Sequence, residues 1–88
     1  MSVKELVSKL NIDDASGKYT ETTFTTALKD SNEFARMYSV FDNLEDSISN
    51  VHMTENHSIC EFSLEDFDVT LEADLTGDNY ILTISEVK

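Results

Sequence analysis

The sequence predicts an α+β domain with N-terminal helices packed on one face of a three- to four-stranded antiparallel β-meander. Three observations carry this expectation: apolar residues recur at helical spacing up to about residue 48, the period then changes from 3.6 to 2, and polar turns punctuate the alternating runs. Helices followed by consecutive short strands form the segregated pattern of α+β proteins. The chain reads as a single domain, 1–88, with a helical part over about 2–47 and the meander over about 49–87.

Val3, Leu6, Val7 and Leu10 follow i, i+3, i+4, i+7 spacing, and Ser2 with Glu5 has the form of a capping box, so a short first helix is expected. Asp13, Asp14, Ser16 and Gly17 then form a loop, since short polar side chains compete for backbone hydrogen bonds and glycine permits positive φ. Residues 19–28 read two ways. Their threonines favour a strand, whereas Phe24 and Leu28 are four apart and Thr20 can cap a helix. The helix is preferred. Asp30 and Glu33 cap the clearest helix, whose stripe comprises Phe34, Met37, Tyr38, Phe41, Leu44 and Ile48.

Beyond this stripe, Ser49 to Thr54 offers a fourth strand and Cys60, Phe62 and Leu64 another. Phe67, Val69, Leu71, Ala73 and Leu75 alternate with Asp68, Thr70, Glu72 and Asp74, and Tyr80, Leu82 and Ile84 form the second arm of a hairpin. Gly77, in the intervening turn, is where a positive φ is expected.

Charge divides the chain. No lysine or arginine lies between Arg36 and Lys88, and that span holds Asp42, Glu45, Asp46, Glu55, Glu61, Glu65, Asp66, Asp68, Glu72, Asp74, Asp78 and Glu86, for a formal charge of −12 over residues 37–87. Residues 1–36 set six acids against five bases, leaving −1, and Lys88 returns the total to −12. If Phe67, Val69 and Leu71 face the helices, then Asp68, Glu72 and Asp74 face water together with Glu61. The candidate partner-binding residues are accordingly Asp42, Glu45, Asp46, Glu61, Glu65, Asp66, Asp68, Glu72, Asp74 and Asp78.

Single-signed fields attract cationic partners and speed their association. The same charge disfavours direct binding to nucleic acid and to anionic membrane, because both interactions require cations that displace counterions. The single Cys60 excludes an intrachain disulfide, so a reducing cytoplasm is the expected compartment. Nothing in the sequence resembles a signal peptide or a membrane span.

His52, His57 and Cys60 lie within nine residues, but their spacing matches no strong zinc pattern, and Cys60 shares parity with Phe62 as a buried residue would. No cofactor or metal is expected. The chain also lacks a P-loop, a dinucleotide fingerprint and a nucleophile elbow, so an enzyme is not expected. The expected function is that of a small non-enzymatic inhibitor, of the DNA-mimic type, whose carboxylates block the groove of a basic, nucleic-acid-binding protein. In size and charge the chain is similar to phage anti-restriction and anti-CRISPR proteins and uracil-DNA glycosylase inhibitors, a likeness of composition alone. The alternative is an immunity protein or antitoxin that neutralises a basic toxin. Solubility is the simplest role of such a surface. Oligomeric state is left open.

Overall fold

A computed structural model describes residues 2–44 and 48–87. The elements run α1 (Val3–Lys9), β1 (Lys18–Tyr19), β2 (Thr23–Leu28), α2 (Ser31–Asp42), β3 (Ile48–Met53), β4 (His57–Ser63), β5 (Phe67–Asp74) and β6 (Asn79–Glu86). The six strands form one antiparallel sheet in the order β1-β2-β6-β5-β4-β3. The domain is α+β as expected, and β3 to β6 form the expected meander.

Two features differ from the sequence reading. Lys18–Tyr19 and Thr23–Leu28 are both strands, so the sheet has six strands rather than three or four, and α2 is internal rather than part of an N-terminal helical block. In β2, Phe24, Thr26 and Leu28 point inward while Thr25 and Ala27 point outward. A spacing of four satisfies both a helical and a strand period, so Phe24 and Leu28 alone cannot separate them. Pairing with β6 decides the matter, and it is a contact between opposite ends of the chain. The long apolar stripe is also interrupted. α2 stops at Asp42 with Asn43 as its C-cap, Leu44 packs on the core from the following turn, and Ile48 begins β3.

Both helices lie on one face of the sheet. Cross-strand rungs Cys60–Leu71–Leu82–Thr26 and Phe62–Val69–Ile84–Phe24 form its inner surface. All eight are buried, and the seven other than Thr26 form one cluster with Val3, Leu6 and Val7 of α1 and Met37 and Phe41 of α2. The two rungs thus combine apolar side chains from distant segments, the arrangement that gives a small domain its core. Tyr38 packs edge-on to Phe62 at 5.4 Å between ring centres.

Local signals explain the helix ends. Ser2 and Glu5 make both bonds of the capping box, and Asp30 accepts the N–H of Glu33 at 2.9 Å. At the other end of α1, Asn11 N–H bonds to Ser8 O and Ile12 N–H to Val7 O, a Schellman closure with Asn11 at φ 56°. The β5–β6 turn corrects another expectation. Asp78 takes the left-handed conformation, with φ 51°, and Gly77 does not. Asp tolerates that region better than most L-residues, so no positive φ calls for glycine at position 77.

Candidate functional site

The register places four of the candidate carboxylates in a single file. On the face away from the helices, successive rungs between β4 and β5 pair Ser63 with Asp68, Glu61 with Thr70, Ile59 with Glu72 and His57 with Asp74. Each rung therefore holds one carboxylate. Glu61 on β4 fills the place that Thr70 leaves vacant between Asp68 and Glu72 on β5. Because residues i and i+2 on one strand are roughly 6.8 Å apart, the file advances one charge per roughly 6.8 Å. Double-stranded DNA offers one phosphate per roughly 3.4 Å of axis on each strand. The file thus has half the linear charge density of one DNA strand.

The file is a stripe and not a uniformly acidic face. On the β6 and β2 side its neighbours are Ser85, Thr83, Ile81, Thr23, Thr25 and Ala27, and on the β3 side they are Asn50 and His52. Lys18 closes the Thr25 row at the β1 edge. Two imidazoles reach across strands: His52 Nε2 lies 3.2 Å from Glu61 Oε1, and His57 Nε2 lies 3.6 Å from Glu72 Oε2. Both pairs are well exposed, so they contribute little to stability. When protonated, they offset part of the stripe's charge. In sequence these two histidines stand near Cys60, yet in the fold each faces a carboxylate. The outward position of His57 follows from its parity with Glu61, whereas the reach of His52 depends on the β3–β4 register.

At the end of the file, Asp74 Oδ1 accepts the N–H and hydroxyl of Thr76 at 3.1 and 2.7 Å. These bonds hold the Asp74 carboxyl below its ordinary value, with the Thr76 hydroxyl the largest cause and the Thr76 N–H the next. Asp78 joins Glu72 and Asp74 around a depression of about 370 Å³, together with His57, Tyr80 and Ile81. Five candidates are therefore brought together: Glu61, Asp68, Glu72, Asp74 and Asp78.

The others are not. Asp42 is exposed at the end of α2, in the helical layer. Glu65 and Asp66 border a small depression with Leu6, Lys9, Leu10 and Leu44, which turns them toward the helical side. Glu45 and Asp46 lie outside the described residues. Among the described residues, no carboxylate has a lysine or arginine partner within 4 Å.

Cys60 faces the core, and burial pushes its thiol up, so little of it is thiolate at neutral pH. It sits on the opposite side of the sheet from the imidazoles. No group of three or more metal-ligating side chains converges among the described residues, and no helix among them is long and apolar enough to cross a membrane. Comparison with protein-family models, curated proteins and solved structures finds no match to this chain.

Proposed function

We propose that this protein is a non-enzymatic antagonist of a basic, nucleic-acid-binding protein and acts in the cytoplasm by occupying the partner's cationic groove. The observation that carries this reading is the file Asp68, Glu61, Glu72 and Asp74, one carboxylate per rung and, among the described residues, none paired with lysine or arginine. An ordered sheet holds these charges in fixed positions, so less ordering is required when cations approach. Asp78 extends the charge around the depression at one end. Solubility alone requires net charge but no such alignment.

A second reading, an immunity protein or antitoxin capping a basic toxin, is favoured by the file's spacing. Charges at half the density of a DNA strand suit an irregular cationic protein surface as well as a phosphate track. Capture from an extract of the native host separates the two. A groove blocker retains a basic protein that duplex or guide RNA displaces, whereas an immunity protein retains its toxin regardless of added nucleic acid. In both cases the Asp68→Lys, Glu72→Lys, Asp74→Lys variant loses the captured protein at low salt. Equal retention by the variant would exclude both readings.

A further inference from the structure

The two edges of the sheet are built differently. The β1 edge is two residues long and carries Lys18, two of the devices that discourage edge-to-edge pairing. The β3 edge has six residues, and no strand among the described residues pairs with its outer side. Residues 47–54, which include this strand, contain no Asp, Glu, Lys, Arg or Pro, and they form the longest acid-free run within the −12 span.

The backbone directions on this edge follow from one bond. Thr54 N–H donates to His57 O at 2.8 Å, so Thr54 points toward β4. Alternation then turns the N–H and C=O groups of Ser49, Val51 and Met53 outward. These residues share parity with the inward-facing Cys60 and Phe62, to which Val51 and Ser49 pair. Yet Val51 is 47% and Met53 71% exposed, among the most open large apolar side chains of the described residues. The edge thus joins unpaired backbone groups to uncovered apolar side chains.

We propose that a second copy of this chain occupies this edge, pairing β3 with β3 antiparallel about a two-fold axis at Val51. In that register Val51 opposes Val51 of the other copy and Ser49 opposes Met53, and each of these rungs exchanges both N–H···O bonds. On the outer side Asn50 opposes His52. No rung sets a carboxylate against a carboxylate, so two chains of charge −12 can meet here without the like-charge opposition that disfavours pairing elsewhere. The axis is perpendicular to the sheet, which leaves all four helices on one side and both carboxylate files on the other. Dimerisation therefore doubles the acidic surface on a single continuous sheet, whether or not that surface has a basic partner.

Sedimentation velocity of the full chain from micromolar to millimolar concentration tests the proposal. The expected result is a monomer–dimer equilibrium that strengthens as salt rises, because screening weakens repulsion between like-charged copies. Amide exchange at Val51 and Met53 slows only in the dimer. Val51→Pro removes an outward N–H that the fold itself does not use, and Val51→Glu sets two carboxylates on the axis. With native circular dichroism retained, both variants stay monomeric over the same range. A wild-type monomer at millimolar concentration in high salt overturns the proposal, as does a dimer that persists in both variants. Protection of these amides only in a complex with another protein overturns it too, in favour of a partner strand.

Discussion

The side-chain carboxylate of Glu86 accepts a hydrogen bond from the backbone N–H of Val3 at 3.2 Å, joining the end of β6 to the start of α1. Val3 is the first helical residue, so its N–H has no partner within the helix, and a carboxylate there also complements the helix dipole. One of the twelve acids in the charged span is thereby tied to the fold.

Replacing this acceptor leaves a part-buried N–H without its partner. Glu86→Ala is expected to cost about 1 kcal/mol, near the usual loss of a helix-capping acceptor. Urea denaturation checks this through a lower midpoint at unchanged slope. Stability equal to wild type would show that water replaces the carboxylate without cost.

The two glycines differ sharply in what surrounds them. A Cβ on Gly17 would lie 2.6 Å from Cζ of Phe24 and closer still to Cε1, and that ring is completely buried. Gly17→Ala should therefore cost about 1–3 kcal/mol through displaced core packing. A Cβ on Gly77 would lie 2.7 Å from Nδ2 at the free end of the exposed Asn79 side chain, which can swing aside, and 3.6 Å from Asp74 Oδ2, and the φ of Gly77 is not positive, so Gly77→Ala should stay within about 0.5 kcal/mol of wild type. Thermal melts of the two variants provide the comparison.

Asp74 supplies a pH dependence. Its carboxyl lies below the ordinary value of 3.8, chiefly through the Thr76 hydroxyl and N–H, with His57 a smaller contributor. A depressed folded pKa stabilises the fold above the ordinary value, and this contribution disappears as pH falls from 3.8 through the lowered value. Thr76→Val removes the hydroxyl donor and keeps the N–H. Nuclear magnetic resonance titration of the Asp74 carboxyl carbon should show its midpoint moving up toward 3.8, with less acid-dependent loss of stability over that window.

Much of this architecture can be read locally. The capping box at Ser2 and Glu5, the apolar faces of α1 and α2 and the alternation of β5 and β6 each involve residues a few positions apart, and the structure contains all of them. The parity of β5 likewise places Asp68, Glu72 and Asp74 opposite the core, with Glu61 beside them. What local pattern misses depends on distant pairing. β2 is recognisable only beside β6, and its inward Thr26 replaces an apolar residue that would have marked a strand period. The Thr26 hydroxyl instead bonds to Ala27 O at 3.4 Å. Similarly, the sequence shows that Glu65 and Asp66 are acidic and at a turn, but not that the turn faces α1.

If the carboxylate file is what a basic partner contacts, a calorimetric salt titration against the captured partner will register it. Affinity is expected to fall steadily as ionic strength rises; Asp68→Asn, Glu72→Gln and Asp74→Asn should each weaken binding about twofold to fivefold at low salt, and these losses should shrink under screening. Affinity indifferent to salt and to all three neutralisations would rule out the file as the contact surface.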